Sequence, residues 1–481
     1  ELRTVYDETN RLSVLRFLFP EMNENNCKQL CDALAILFER NEDSGLELLK
    51  DRAAIYRQYV SGRKAIDLSD VINQLVGLWK KEPGILEQQR SAIRVVAVDE
   101  FQDINRLQYE FLTLLGQGKN LLAIGDPDQA IYEFRGSDVS LFFRFAADFN
   151  PKEISLAENY RSVPAVLKAA GELIARNTLR SGLSLQATRS GKQKIKLFLA
   201  ENPEKEAQFI TSEIEKKVGG FNLLSGGPAY DEGDYSFSDI AVLYRTHQVG
   251  RELFSCFKQA NIPVIPGDGT SFLSTEPFTL IAAILKLLLH PGDLIALEGI
   301  LNHLAGWERT IVRGFLSRLH ENSEQWTETA SVPDKGTAAA SFVAWKTFYR
   351  ELAARLPALK VDELIDKIFG SYLPDHQLNE EQILKKEIIL AMAKEAGSGI
   401  QQFLNDATLN NFTDTGRQKA HGIRLLTFHA AKGLEFPVVF IAGAEEGITP
   451  SGRRDADPEE ERRLFYVAMT RARDELYITH A

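Results

Sequence analysis

Short apolar runs that end abruptly in polar residues recur along this chain, with helical periodicity between them. Val95-Val96-Ala97-Val98 ends in Asp99-Glu100, Leu121-Leu122-Ala123-Ile124 ends in Gly125-Asp126, and Ile154-Ser155-Leu156 leads to Glu158-Asn159-Tyr160-Arg161. Continuous apolar runs of this kind predict strands buried on both faces. Helices between them predict a parallel α/β sheet whose ligands collect outside the carboxyl ends of its strands. A second α/β unit is predicted from a strand at Lys194 to Leu199, a helix around Ala207, Ile210 and Ile214, and a strand at Ile240 to Tyr244. The sheet pattern resumes with Ile423 to Phe428, Pro437 to Ile441 and Leu476 to Thr479.

The rest reads as helix. From about residue 25 to 90, Leu30, Leu34, Ile36 and Leu37 are predicted to share one stripe and Val71, Leu75 and Leu78 another, up to the breaker Glu82-Pro83-Gly84. From Phe278 to Asn411 the strand signals stop, and Leu280, Ile281, Ile284, Leu285 and Leu288 repeat at helical spacing. Polar linkers are predicted at Gly219 to Asp234 and Asn410 to Lys419. The expected organisation is a helical segment over 1–90, an α/β segment over 91–176, the first part of a second α/β unit over 177–274, a helical insertion over 275–415 and the rest of the second unit over 416–481.

At 481 residues the chain has length for three or four units, each with its own core. The net charge of -11 argues against a blanket electrostatic nucleic-acid binder. It leaves room for single strands held by stacking on aromatics in a locally basic channel. Cys27, Cys31 and Cys256 cannot make a disulfide framework and lack the histidines that would complete a metal site, so they are expected to be small buried residues. No apolar run approaches a membrane span, and the charged start Glu1-Leu2-Arg3 does not resemble a signal peptide. No membrane partner and a cytoplasmic protein are expected.

The strand ends carry the candidate chemistry. Adjacent acids such as Asp99 and Glu100 let one carboxylate hold Mg²⁺ while its neighbour polarises water, although an isolated Asp-Glu pair is common. Gly125-Asp126-Pro127-Asp128-Gln129 is good turn chemistry. It also suits a coupling loop in which Gln129 senses a terminal phosphate while Tyr132, Phe134 and Arg135 face a nucleobase. Tyr160-Arg161 could clamp a purine and a phosphate together. Thr427 to Phe436 places a hydroxyl, His429, Lys432 and Glu435 at another strand end. Glu459 to Arg473 reads either as a surface helix with i,i+4 ion pairs or as a helix that delivers a rigid arginine to a transferring phosphoryl group.

Together these motifs resemble those of the UvrD/Rep family of superfamily-one DNA helicases, in order and over nearly the whole chain. They are Asp99 to Asp103, Gly125 to Gln129 with Tyr132 to Gly136, Asn159 to Ser162, His429 to Phe436 and Tyr466 to Arg473, with Ala241 to Arg245 and Ile66 to Asp70 in addition. The resemblance implies two RecA-like parallel-sheet domains with helical insertions, ATP and Mg²⁺ as cofactors, and single-stranded and duplex DNA as partners, with 3′-to-5′ unwinding. It implies that Asp99 binds Mg²⁺, that Glu100 is the base toward water, and that Gln129, Arg161 and Arg471 contact the γ-phosphate. Tyr160 would stack on adenine, Glu435 would meet the ribose, and Tyr132, Phe134, Arg135 and His429 would link the nucleotide to single-stranded DNA. The family usually has tryptophan where Phe134 stands, so a weaker base stack is expected.

One family element is missing from these residues. No G-x-x-x-x-G-K-[S/T] loop occurs, although its backbone N–H groups, lysine and hydroxyl serve the phosphates and Mg²⁺. By the resemblance it belongs well ahead of the Asp-Glu strand. The residues are therefore expected to start inside the first motor domain's helical insertion, in a piece of a longer helicase or in a paralogue that has lost hydrolysis, and to bind nucleotide poorly alone. A first sheet without that strand is expected to expose ladder edges and apolar faces. The rival expectations are a non-catalytic DNA- or protein-binding module on the same fold, and a helicase followed by a nuclease.

Overall fold

In the computed structural model the helical sequence collects in one unit, built from Glu1–Phe38, Glu42–Val71 and Gly269–Gln418, and the strand-rich sequence in another, built from Glu39–Asn41, Ile72–Asp268 and Lys419–Ala481. The structure describes all residues except 1–3, 41–46, 63–64, 181, 192–194, 220–234, 268–272, 274–275, 320–325, 327–335, 357–358, 398, 410–421 and 454–455. The two predicted polar linkers, Gly219 apart, lie outside the described residues.

In the helical unit a short parallel pair, β1 (Thr4–Tyr6) and β2 (Ala65–Asp67), brackets three helices, Glu8–Leu18, Glu24–Arg40 and Glu47–Gly62. Tyr6, Val14, Leu15, Leu30, Leu34, Phe38 and Tyr56 form their core. Ile36, expected on the buried stripe, is 44% exposed, because at two residues past Leu34 it points to the far side of the helix. Leu78 is likewise exposed while Val76 and Trp79 are buried. Pro83 does not break the chain into a loop; it sits at the first position of a helix, Pro83–Ala92, where its missing N–H has no partner to lose. Among the described residues between Phe278 and Leu409 the regular elements are helical, and Ile281, Ile284, Leu285 and Leu288 are buried as their spacing requires.

A polar knot fastens this unit. Arg11, itself buried, donates to both oxygens of Asp67, at 2.8 and 3.1 Å, and to Ser69 Oγ at 3.0 Å, while Tyr56 O–H donates to Asp67 at 2.6 Å. Desolvation of a charge is tolerable when it is forked and fully bonded in this way.

In the strand-rich unit, β3 (Val95–Val98) and β4 (Asn120–Ala123) form a parallel pair. Contrary to the prediction, this pair is not buried on both faces: Val95, Leu122 and Ile124 are 57%, 52% and 51% exposed. Ile154 to Leu156 forms no strand and is more exposed still. Among the described residues β3 and β4 pair only with each other, so no third ladder is present to receive that segment or to cover the apolar faces. A second short pair, β5 (Glu158–Asn159) with β6 (Gln186–Ala187), lies beyond it.

The later runs make a true parallel sheet. Its strands are β7 (Lys196–Leu199), β8 (Ile240–Tyr244), β9 (Val264–Gly267), β10 (Ile423–Thr427), β11 (Phe436–Ala442) and β12 (Ala472–His480), in the order β7-β12-β11-β8-β10-β9. Each pairing is parallel. Along β8, Ile240, Val242 and Tyr244 enter a core with Ile210 and Phe257, while Ala241 and Leu243 enter the opposite core with Val166, Leu464 and Val467. That alternation between two covered faces makes the run continuously apolar. The α/β class and parallel sheets expected from the pattern are what the chain has. No helix among the described residues is long and apolar enough to cross a membrane.

Candidate nucleotide and nucleic-acid site

The carboxyl end of β3 delivers the acid pair. Asp99 and Glu100 stay at the surface, and the Asp99 carboxylate accepts the Glu100 N–H at 2.9 Å. Glu100 has φ 51°, left-handed backbone for a residue with a side chain, which persists only where neighbours hold it. The following turn buries Phe101 and Gln102. Gln102 donates to the Glu100 carboxylate and accepts the Asp126 N–H at 2.9 Å.

The end of β4 delivers the loop predicted to couple. Asp126 accepts the Asp128 N–H at 3.0 Å and the Gln129 amide at 2.8 Å. Asp128 is buried beside Arg180, 3.1 Å away. Burial and then Asp126 push its carboxyl up to about 6, against Arg180.

Arg471 reaches this loop from the far end of the sequence. It does not ride on the helix as predicted: the helix, Pro458–Met469, ends before it, and Arg471 folds back along the last turn. Its Nε donates to Val467 O at 3.0 Å, Nη1 to Leu434 O at 3.1 Å and Nη2 to Gln129 Oε1 at 3.3 Å. Only 1% exposed, the guanidinium is drawn down to about 10, by burial first and then by Arg161, and it stays charged at neutral pH. Arg161 in turn donates to Glu435 Oε2 at 2.7 Å. Tyr160 bonds Glu158 through its hydroxyl and is 69% exposed as a residue, which leaves it open for stacking.

The predicted base-facing residues come together from two distant segments. Tyr132 and Phe134 have ring centroids 6.1 Å apart, and His429 lies 5.2 Å from Phe134, edge-on, and 6.1 Å from Tyr132. The Arg135 guanidinium sits 5.5 Å from the Tyr132 centroid and 5.6 Å from that of Phe134. Phe134 is 57% exposed, so the platform offers an aromatic face with a cation beside it.

His429 is pulled down to about 4, mostly by burial and then by Arg245 and Arg135. The folded chain thus keeps its imidazole neutral while the unfolded chain takes up the proton below its ordinary value of 6.5. The stability this contributes is complete above pH 6.5 and is lost as the pH falls toward 4. Asp128 acts oppositely. Its folded form holds a proton up to about pH 6, so its contribution is lost as the pH rises from 3.8 through 6. The expected result is that His429→Gln removes a slope of up to about 1.4 kcal/mol per pH unit across this window, leaving the opposite slope of Asp128 unmasked. Urea unfolding at a series of pH values checks it; superimposable curves for the two chains would refute the assignment.

Several residues within the quoted motifs had no predicted role, Gln102 and Asp126 among them. Another is Lys432, whose ammonium, 6% exposed, bonds Asp103, lies 3.4 Å from Glu100 Oε2 and donates to Gln129 O at 2.9 Å. It also lies 5.2 Å from the Tyr132 centroid. A buried ammonium touching Glu100, the loop at Gln129 and the Tyr132 ring at once is a hub. The local signal was present as a lysine in the turn that follows β10, but its partners were not.

Among the described residues no cluster of three or more His, Cys, Asp or Glu could hold a metal ion. Mg²⁺ binds through one or two carboxylates and completes its shell with phosphate oxygens and waters. Asp99, exposed at the strand end, is suited to be that carboxylate.

Known proteins share this constellation of segments. The model of the UvrD-like helicase C-terminal domain matches residues 154–328 and 362–481, and that of the UvrD/REP helicase N-terminal domain matches residues 8–150. An ATP-dependent DNA helicase PcrA of Staphylococcus epidermidis is 31% identical over 89% of this chain and 60% of its own length. One from Staphylococcus aureus is 30% identical with the same coverage. The chain thus spans about 60% of the length of these relatives.

Proposed function

The chain belongs to the UvrD-like helicase family, and on that premise we propose that it forms the greater part of an ATP-driven motor that moves along single-stranded DNA and unwinds duplex 3′ to 5′ in the cytoplasm. The observation that carries the reading is an unbroken line of contacts from the acid pair to the late arginine. Glu100 bonds Gln102, Gln102 bonds Asp126, Asp126 bonds Gln129, and Gln129 bonds Arg471. Lys432 joins the same line to the aromatic platform. A change at a bound phosphate can therefore be felt where bases stack.

In this reading Glu100 takes the proton of the attacking water, and Gln129, Arg161 and Arg471 meet the γ-phosphate, where fixed guanidinium charge stabilises the transferring group. Asp99 would hold Mg²⁺, which neutralises charge on the phosphate oxygens when bound. Tyr160 stacks on the adenine. Glu435 accepts from the ribose, which frees Arg161 from the ion pair it makes with Glu435. Tyr132, Phe134, Arg135 and His429 grip the strand, with Phe134 a smaller face than an indole. The 481 residues contain no G-x-x-x-x-G-K-[S/T] loop, and alone they bind nucleotide weakly.

The test is ATP hydrolysis with and without single-stranded DNA, by the gene product in which these residues occur and by the 481 residues alone. The first is expected to hydrolyse ATP in a DNA-stimulated manner and to lose at least about 10²-fold in kcat on Glu100→Gln. The second is expected to be near background. If a gene product with an intact phosphate loop is silent in the presence of DNA, the motor reading fails and a non-catalytic DNA-binding module takes its place.

A further inference from the structure

We infer that Gln102 is a positioning residue that aims the Glu100 carboxylate, and that Gly125 is glycine because the Gln102 amide occupies the space a side chain there would need. The catalytic consequence rests on Glu100 being the base; the geometry does not.

Gln102 is 1% exposed, and both ends of its amide are engaged. Nε2 donates to Glu100 Oε2, and Oε1 accepts the Asp126 N–H at 2.9 Å. A flipped amide would set carbonyl against carboxylate and NH₂ against N–H, so only one orientation satisfies the site. The ammonium of Lys432 lies 3.4 Å from the same Oε2. With two donors converging on one oxygen, Oε1 is left as the oxygen to accept a proton. The carboxylate needs such support because its own backbone is left-handed, at φ 51°, where a residue with a side chain is not held by local preference.

Gly125 supplies the second observation. Its backbone is not among the positive-φ glycines, so conformation does not call for glycine there. Space does: a Cβ would stand 2.6 Å from Gln102 Oε1, and 3.1 Å from both Phe101 N and Phe142 Cε2. The closest of these is the atom that accepts from Asp126. A methyl at 125 would therefore push the amide off the Asp126 N–H and loosen its grip on Glu100. A buried amide that merely staples two strand ends would also explain the burial, but it would be indifferent to what Glu100 carries.

The experiment uses the 481-residue chain labelled with ¹⁵N-glutamine, the Gln102 side-chain resonances being identified by their loss in Gln102→Leu, or in Gln102→Met should leucine prevent folding. A slowly exchanging pair is expected. Glu100→Ala should shift it and raise its exchange rate at least about tenfold, as expected when a hydrogen-bonded amide is released to solvent. A pair that does not respond to Glu100→Ala would overturn the proposal. In a double-mutant cycle, Gly125→Ala should lower the thermal midpoint in the starting chain and lower it by less than half as much in a Gln102→Ala background; equal losses would overturn the link between the two residues. In the gene product, Gln102→Leu should lower kcat about 10- to 100-fold with KM for ATP within about threefold, the signature of lost orientation rather than lost binding. If the exchange and double-mutant arms succeed while Glu100→Gln leaves hydrolysis intact, the positioning stands and the reading of Glu100 as base falls.

Discussion

Arg471→Ala is expected to lower DNA-stimulated ATP hydrolysis by about 10³-fold or more, the scale on which a rigid arginine stabilises a phosphoryl-transfer transition state. The rigidity is visible in its contacts. One face of the guanidinium is pinned to Val467 O and Leu434 O, and Nη2 is turned toward Gln129. Burial strengthens its field, and its charge persists because even the lowered value of about 10 lies well above neutral pH. Alanine would also leave Leu434 O without this donor, at roughly 1–3 kcal/mol, while Val467 O keeps the Thr470 hydroxyl, so folding has to be followed beside activity. Arg471→Lys separates the two effects. It keeps charge and much of the volume, yet cannot fork between helix end and loop, and is expected to remain at least about 10²-fold impaired while the chain stays folded. Hydrolysis within about threefold of the starting protein, in a folded Arg471→Lys chain, would remove Arg471 from the phosphate site.

The largest effect on stability is expected in the helical unit. Asp67→Leu strands the buried Arg11 guanidinium, whose partners are otherwise Ser69 Oγ and Cys31 O, and should cost about 3–5 kcal/mol. Adding Arg11→Met should recover part of that, since the two apolar groups need no partner while the buried Tyr56 hydroxyl still lacks the acceptor it had in Asp67. Three of the four tryptophans, Trp307, Trp326 and Trp345, belong to this unit, so fluorescence-detected urea unfolding reports on it directly. A double variant as unstable as Asp67→Leu alone would show that the pair is more than a local fastening.

The same residues show how far the sequence could be read. The runs at Val95, Leu121, Ile240, Ile423 and Pro437 announced strands, since a strand is a local run of apolar residues closed by polar ones. The residues at their ends announced chemistry for the same reason. Burial was harder. β8 and the run at Val95 look alike on paper, yet the first lies between two cores and the second has half of its positions open, because burial is conferred by neighbours from elsewhere in the chain. Ile36 and Leu78 were misplaced by a smaller error, an apolar residue taken as core although its angle around the helix faces out.

By itself the sequence determined the parallel α/β class, the strands at Val95, Leu121, Ile240, Ile423 and Pro437, and the inventory of acids, amides, arginines and aromatics at the strand ends; it did not foresee that Ile154 to Leu156 stays out of any sheet. Tertiary structure alone decided that Gln102 holds Glu100, that Lys432 sits at the crossing of acid pair, loop and aromatic rings, and that Arg471 leaves its helix to reach Gln129. Propensity acts over a few neighbouring residues and leaves a mark in composition. A hydrogen bond between positions 129 and 471 depends on how sheets and helices stack, and no local pattern records it.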